Sequence, residues 1–381
     1  MDGVVVAAPN TFKGSMTAAQ AARAIARGVR RAWPGAEVRE VPMSDGGEGM
    51  VETLVAATGG RIETARVTDA RGGVIEAPYG RLADGTTVVV ELSAAAGLVQ
   101  LPSERREPLV TTTRGVGELV LSAWREHPFR TLILSLGGSA TVEGGAGLLQ
   151  ALGIRLLDAS GQELPPGGGA LARLAAIDSS GAHPLLSAAR IELAVDVMNP
   201  LLGPRGAAPV YAPQKGASPE DVRTLERSLE RFADVLEAAT GRRVRDVPGT
   251  GAAGGVPAGL LAIAGVHMVP GFDLVAQAVG LDARLEGAAL VITGEGQLDR
   301  QSFEGKVIGR LAERCRSRAV PLVAIAGTLT EEGEELLKQA GGIAQSLVPG
   351  PMALEAAMRE GESLLERATM RSVGCFCMRE S

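Results

Sequence analysis

The chain has 381 residues, which favours two domains and allows a sizeable core without disulfides or metals. Its residues are 45% hydrophobic and only 3% aromatic, and the formal net charge is −6 without a cluster of lysines and arginines. This balance is typical of a globular α/β protein and argues against nucleic-acid binding, because contacts to phosphates drive that affinity.

The cysteines and histidines indicate neither a disulfide framework nor a metal site. There are three cysteines, two of them in the Cys375–Cys377 segment, and three histidines far apart in the sequence. A zinc site and a Ser-His-Asp hydrolase therefore gain no support. The sequence also lacks a signal peptide and a long uncharged apolar run, so we expect a cytoplasmic protein without a membrane partner.

Both ends of the chain alternate buried strands with amphipathic helices. Strands are predicted at residues 4–8, 38–41, 290–293 and 321–326. Helices are predicted at residues 18–32, 51–57, 306–317, 332–340 and 353–368, and Thr17 is the predicted N-cap of the first. This alternation predicts a parallel, doubly wound, Rossmann-like sheet.

The middle of the chain predicts a second domain. Strand-like segments at 86–91, 131–135 and 190–195 alternate with glycine-rich loops, and one long charged helix is predicted at 219–240. We therefore predict a two-domain α/β fold: a discontinuous Rossmann-like domain of residues 1–66 and 289–371, with a second α/β domain of residues 67–288 inserted in it. Residues 372–381 lack periodicity and are expected to form a disordered tail.

The first two polar loops follow predicted strands, where open α/β sheets bind ligands. Lys13 and Ser15 lie between a strand and a helix, a position suited to a phosphate or carboxylate, although a surface lysine in a turn fits equally. In the second loop, Gly46 and Gly47 allow close approach of a ligand. The carboxylates of Asp45 and Glu48 could bind Mg²⁺ or accept a proton, or could simply be solvated.

Two further loops carry residues suited to phosphoryl transfer. The segment Gly137, Gly138, Ser139, Ala140, Thr141 follows an apolar strand and resembles a phosphate cradle in outline. It is not a Walker A sequence, which disfavours P-loop kinases. Asp196, Asn199 and Lys215 supply a carboxylate, an amide and a cation, the residue types that kinases use, although their spacing does not show that they converge.

The glycine-rich stretch at 249–256 matches two unrelated nucleotide-binding patterns. Gly251 and Gly254 belong to a Gly-x-Gly-x-x-Gly run that occurs in Rossmann dehydrogenases and in protein kinases. No buried strand clearly precedes it, Pro257 is expected to interrupt the following helix, and no protein-kinase signature is present. We therefore interpret it as a flexible loop that belongs to the active site or joins the domains, and a purely structural role remains open.

Taken in order, these loops resemble the type I glycerate kinase family from Val4 to about residue 368. The matching segments are 8–15, 45–49, 137–141, 196–201, 213–217, 249–255 and 290–302, followed by Gly305 and Lys306. Asn10, Arg114, Glu143 and Ala289 depart from the family's usual residues. Asn10 makes a base or metal role there doubtful, and Arg114 could alter specificity if it faces the substrate.

The resemblance implies ATP, Mg²⁺ and glycerate as ligands, with the active site in a cleft between the domains and 2-phosphoglycerate as the typical product. It places Gly137 to Thr141 near phosphate, together with Asn199, Gly251 and Gly254 as nucleotide contacts. It gives substrate contacts at Lys13, Ser15, Asp45, Gly46 and Gly47, and metal ligands at Asp45, Glu295 and Asp299. We further expect Lys13 and Lys215 to neutralise negative charge and Asp196 to orient or deprotonate the hydroxyl.

Three alternatives to this interpretation remain. A kinase for another sugar acid, such as erythronate or threonate, would share the same loops. A non-catalytic regulator that binds nucleotide or sugar acid is disfavoured because the acidic residues are retained. A Rossmann dehydrogenase would depend on the 249–254 stretch alone. The sequence leaves open which hydroxyl and enantiomer react, and whether the chain forms a homodimer.

Overall fold

The computed structural model describes residues 3–47 and 49–380. Its strands are β1 (Val4–Ala7), β2 (Glu37–Glu40), β3 (Arg61–Thr68), β4 (Val74–Arg81), β5 (Thr87–Glu91), β6 (Thr131–Ser135), β7 (Arg155–Leu157), β8 (Ala176–Asp178), β9 (Arg190–Ala194), β10 (His267–Val269), β11 (Ala288–Leu298), β12 (Leu322–Leu329) and β13 (Gly342–Ser346). Its α-helices are α1 (Ala18–Ala32), α2 (Met50–Thr58), α3 (Ser93–Ala96), α4 (Arg114–Glu126), α5 (Ala146–Ala151), α6 (Leu185–Ala188), α7 (Ala207–Tyr211), α8 (Pro219–Thr240), α9 (Val256–Ala264), α10 (Gly271–Ala278), α11 (Leu281–Leu285), α12 (Val307–Ser317), α13 (Glu331–Gln339), α14 (Leu354–Arg359) and α15 (Gly361–Glu380).

The chain divides into two compact units. Unit 1 comprises Met1–Asp45, Glu52–Thr58 and Phe272–Ser381, and unit 2 comprises Gly46–Val51 and Gly59–Gly271. The sequence predicted that the chain passes between the domains at 66/67 and 288/289. In the structure these two passages come earlier, at 58/59 and 271/272. The first difference arises because β3 pairs with β4 over its whole length, and therefore belongs to unit 2. The second arises because α10 and α11, which precede β11, belong to unit 1.

Unit 1 contains a parallel sheet in the order β13-β12-β11-β1-β2. The chain proceeds from β1 to β2 on one side, and from β11 to β13 on the other. The winding direction therefore reverses between β1 and β11, and the carboxyl ends of these two strands form a topological switch point, where open α/β sheets bind ligands. The buried core beneath includes Val5, Ile25 and Ile292.

Local sequence explains where α1 begins. Thr17 accepts a hydrogen bond from the backbone N–H of Gln20, and the side chain of Gln20 accepts one from the N–H of Thr17. This reciprocal pair satisfies two of the free donors at the start of the helix. Ile25 and Val29 then lie on the buried face of α1, which packs against α15.

Unit 2 contains a mixed sheet in the order β10-β9-β6-β5-β4-β3. Strands β5, β6, β9 and β10 are parallel, whereas β3 and β4 form an antiparallel edge. β6 is flanked by parallel strands on both sides, with Leu134 opposite Val90 and Leu193, so the loops after β6 and β9 leave the same edge of the sheet. Strands β7 and β8 form a separate two-stranded sheet.

Two expectations from the sequence are corrected. Strand β11 does not end at Thr293 but continues to Leu298, because it pairs with β12 as far as Leu298 opposite Leu329. The expected disordered tail is helical, since α15 extends to Glu380, with Val373 fully buried and the ring of Phe376 6.0 Å from that of Trp33. No helix in the described part of the chain has the length and apolar character that crossing a membrane requires.

Candidate functional site

Three polar side chains lie at the switch point of unit 1. Asn10 follows β1, Asp45 follows β2, and Glu295 lies in the carboxyl half of β11. The amide of Asn10 donates to Asp45 at 3.4 Å, and its backbone N–H donates to the carbonyl of Gly294 at 2.9 Å. Although Asn10 departs from the residue expected at this position, it still belongs to the polar cluster, because its amide faces Asp45.

Glu295 is an acid held in a largely dehydrated setting. Its residue is only 7% exposed, and its Oε1 accepts a hydrogen bond from the hydroxyl of Ser302. Burial raises the pKa of Glu295 above its ordinary value, and the negative charge of Asp45 adds to this effect. The bond from Ser302 and the positive charge of Lys306 oppose the rise in pKa. A cation bound between Asp45 and Glu295 would relieve their repulsion.

Asp299 contacts neighbouring residues rather than joining that pair. Its Oδ1 accepts from the N–H of Ser302, its Oδ2 accepts from the side chain of Gln297, and it is the N-cap of a short 3₁₀ helix, Arg300–Phe303. Among the described residues, no group of three or more His, Cys, Asp or Glu side chains is placed to hold a metal ion. The structure therefore does not assemble Asp45, Glu295 and Asp299 as one set of three ligands.

Lys13 and Ser15 occupy the loop after β1 in different ways. Lys13 is exposed, and its side chain forms no ion pair within the described residues. The hydroxyl of Ser15 donates to the carbonyl of Met358 at 2.6 Å. Of the two substrate contacts expected in this loop, Lys13 presents a cation to solvent, whereas Ser15 tethers the loop to α14.

In unit 2, Asp196 lies beside the glycine pair of the second loop. Its Oδ1 accepts from the N–H of Gly271 at 2.9 Å, and a Cβ added at Gly46 would lie 3.0 Å from its Oδ2. Gly46 has φ +89°, and its carbonyl accepts from the hydroxyl of Ser135 at the end of β6. A Cβ at Gly137 would in turn lie 3.0 Å from the Cα of Gly47. Glu48 lies outside the described residues.

A buried lysine from a later segment of the chain contacts the loop after β6. The amine of Lys215 donates to the hydroxyl of Ser139 at 2.7 Å and to the carbonyl of Thr141 at 2.8 Å. Lys215 is only 2% exposed, and it forms no ion pair within the described residues. Burial lowers its pKa from 10.5 to about 7. The hydroxyl of Thr141 is also buried without a hydrogen-bond partner in the described structure.

These groups fit a phosphate. A buried amine without a carboxylate partner gains from a nearby anion, since the anion offsets the cost of dehydrating its charge. Thr141, whose carbonyl accepts from Lys215, also offers an unused hydroxyl. Gly138, at φ +70°, gives the turn a backbone conformation that other residues rarely adopt.

Asn199, Gly251 and Gly254 are tied into the surrounding backbone. The amide of Asn199 donates to the carbonyl of Arg205 at 2.8 Å, and its oxygen accepts from the hydroxyl of Tyr211 at 2.8 Å. A Cβ at Gly251 would lie 2.2 Å from the carbonyl of Pro200, and one at Gly254 would lie 2.1 Å from that of Thr141. Packing alone therefore requires both glycines. Pro257 does not interrupt the following helix, because it occupies the first turn of α9, where no N–H is needed.

Sequence reasoning missed the role of Glu143 in shaping this loop. Its fully buried carboxylate accepts hydrogen bonds from Thr113 N–H and Oγ1 at 2.6 Å each, and from the N–H groups of Gly147 at 3.1 Å and Gly167 at 3.2 Å. Burial raises the pKa of Glu143, and these donors oppose the rise. The sequence signal for this role of Glu143 was an acidic residue beside glycines in an otherwise apolar segment.

Comparison with known proteins gives a consistent result. The model of the glycerate kinase family matches residues 5–376. A glycerate kinase of Halalkalibacterium halodurans is 44% identical over 364 residues, 96% of each chain, and a glycerate 2-kinase of Escherichia coli is 44% identical over 328 residues, 86% of each. A crystal structure described as glycerate kinase 2 of Salmonella typhimurium LT2 covers 100% of both chains at 39% identity, with a TM-score of 0.90.

Proposed function

This chain belongs to the glycerate kinase family, and we propose that it transfers the γ-phosphoryl group of ATP to the 2-hydroxyl of D-glycerate. The chain is an enzyme, a kinase that phosphorylates glycerate. The position of transfer, the D-enantiomer, the requirement for Mg²⁺ and the roles of individual residues are the parts that we propose.

The observation that carries the phosphoryl-transfer proposal is the buried amine of Lys215 at the turn after β6. We assign Lys215 and Thr141 to the phosphates of ATP, with Gly137 and Gly138 allowing close approach of the backbone. Catalysis of phosphoryl transfer consists mainly of positioning and charge neutralisation. A buried lysine suits that task. Its positive charge destabilises the folded protein until an anion binds beside it, so binding of the nucleotide favours the protonated form.

We assign Mg²⁺ to Asp45 and Glu295. Mg²⁺ is usually held by one or two carboxylates together with phosphates and water, so a third carboxylate is not required. The raised pKa of Glu295, to which Asp45 contributes, supports this assignment. When bound, the ion would neutralise charge on the phosphates. Asp299 then becomes a positioning residue: it holds Ser302, which orients the carboxylate of Glu295.

We assign the acceptor side of the reaction to Lys13 and Asp196. The exposed ammonium of Lys13 suits the carboxylate of glycerate. The carboxylate of Asp196 is fixed by the N–H of Gly271 and lies against Gly46, so one oxygen is oriented by the backbone. We propose that Asp196 accepts the proton of the glycerate hydroxyl or orients that hydroxyl for attack.

The test is ATP consumption by the purified chain with D-glycerate, L-glycerate, erythronate and threonate, with and without Mg²⁺, and phosphorus NMR of the product. We expect turnover that requires D-glycerate and Mg²⁺ and yields the 2-phosphate. If turnover occurs only with erythronate or threonate, that four-carbon acid replaces glycerate as the substrate. Absence of turnover with every acid would contradict the proposal. A cytoplasmic location and a homodimer stay predictions, the latter to be tested by light scattering.

A further inference from the structure

A cavity of about 1060 Å³ in unit 1 lies apart from the residues assigned to catalysis. It is lined at the amino ends of β11, β12 and β13 by Leu290, Leu322 and Ile343, and by one face of α15. Leu290 and Glu295 share strand β11, about 16 Å apart at about 3.3 Å per residue. The cavity therefore lies towards the opposite edge of the sheet from the switch point.

The chemistry of the lining is apolar with a positive pole. Among the described residues, Arg316 and Arg371 are the only charged side chains of the lining, and neither forms an ion pair or a side-chain hydrogen bond there. Most other arginines of unit 1, such as Arg310 and Arg314, pair with carboxylates. Ile343 is 65% exposed although it is a large aliphatic residue.

A cavity of this size, apolar with few polar groups, has the features of small-molecule sites, which usually measure about 300–1,000 Å³. Within the described lining, two guanidinium groups and no carboxylate favour an anionic ligand, since they attract an anion and repel a cation. The apolar walls select a hydrophobic body.

We propose that this cavity is a second ligand site, which binds a small amphipathic anion with an apolar body and one carboxylate or similar oxyanion. Arg371 or Arg316 binds the anionic group, and the aliphatic walls and Phe376 contact the body. The site is independent of the glycerate-binding residues and goes beyond the proposed kinase activity.

The first experiment uses the full-length protein and the fluorescent probe 8-anilinonaphthalene-1-sulfonate. We expect saturable binding that decanoate displaces and decanol displaces far less well. The double variant Arg316→Gln, Arg371→Gln should bind the probe about tenfold or more weakly, from the loss of charge-assisted hydrogen bonds. The matched control is Arg23→Gln, which removes an exposed arginine of α1 outside the cavity and should bind within about twofold of the parent.

The second experiment locates the ligand without disturbing the arginines. Cys375 is exposed and lines the cavity, one helical turn from Arg371, whereas Cys315 is buried. In a Cys377→Ser variant, saturating decanoate should slow alkylation of Cys375 by N-ethylmaleimide at least about fivefold, because the ligand covers the thiol.

Several results would overturn the proposal: probe binding that does not saturate, equal binding by the double variant and the Arg23→Gln control, or alkylation of Cys375 unchanged by decanoate. If the double variant fails to fold, the alkylation result decides alone. Glycerate phosphorylation by each variant is measured in parallel and should stay within about twofold of the parent, since no cavity residue belongs to the assigned catalytic groups. Failure of that activity in the parent would refute the kinase proposal and leave the binding result intact.

Discussion

Replacement of Lys215 by methionine should remove a pH-dependent destabilisation of unit 2. Burial lowers the pKa of Lys215 from 10.5 to about 7. The unfolded chain keeps the proton up to about pH 10.5, whereas the folded chain releases it near pH 7. The destabilisation of the folded state by this buried charge is therefore complete below about pH 7, and it falls as the pH rises towards about 10.5.

The magnitude follows from that difference in pKa. It corresponds to a destabilisation of about 5 kcal/mol below pH 7, since each tenfold change in proton affinity is about 1.4 kcal/mol. Between pH 7.5 and 9.5 the cost falls by about 2.5 kcal/mol. Methionine removes the charge and also two hydrogen bonds, whose loss does not depend on pH in this range. The stability difference between Lys215→Met and its parent should therefore change by about 2.5 kcal/mol over that interval.

The assay is urea unfolding followed by tryptophan fluorescence. The chain has two tryptophans, and a Trp33→Phe background leaves Trp124, whose ring packs on Phe129 and His183 in unit 2, as the reporter. Lys338→Met, which alters an exposed lysine of α13, is the control and should show no such pH-dependent difference. A Lys215→Met difference that changes by less than about 0.5 kcal/mol from pH 7.5 to 9.5 would refute the argument.

Three other predictions concern carboxylates. Asp196→Asn should lower kcat about 10²-fold or more while the urea midpoint moves little, because the change removes a proton acceptor and keeps the shape; an unchanged kcat would contradict the assignment. Glu143→Ala should destabilise unit 2 in thermal or urea unfolding, at about 1–3 kcal/mol for each buried donor that it leaves unpaired. Glu143→Gln should recover part of that loss, and equal losses would argue against the hydrogen-bond explanation. Glu295→Gln should raise the Mg²⁺ concentration needed for half-maximal rate by about tenfold or more, and an unchanged requirement would exclude Glu295 as a ligand.

The sequence predicted elements whose signals are local. Helix α1 follows from the Thr17–Gln20 capping pair, and α8 from Ser218 and Asp221 together with Gly241 after its last residue, at φ +69°. The parallel sheet of unit 1 follows from buried strands alternating with helices. In each case the determining residues lie within a few positions of one another, so no knowledge of the tertiary structure is needed.

The sequence could not predict features that depend on distant partners. The extension of β11 to Leu298 requires β12 as a neighbour, and the helical end of α15 depends on packing near Trp33. The same holds in the candidate site: the sequence predicts a cation at Lys215 but not its burial, which depends on contacts with Ser139 and Thr141. A signal for Asp299 was present, because Asp is one of the residues preferred at the N-cap of a helix.

The position of β1 inside the sheet of unit 1 has a consequence for biosynthesis. β1 hydrogen-bonds to β2, which leaves the ribosome soon after it, and to β11, which is made only after the whole of unit 2. Almost all of unit 2 is one continuous segment, so it can fold while the ribosome is still translating. Until β11 is made, the edge of β1 that pairs with it stays open, and an open strand edge is a template for pairing with other chains.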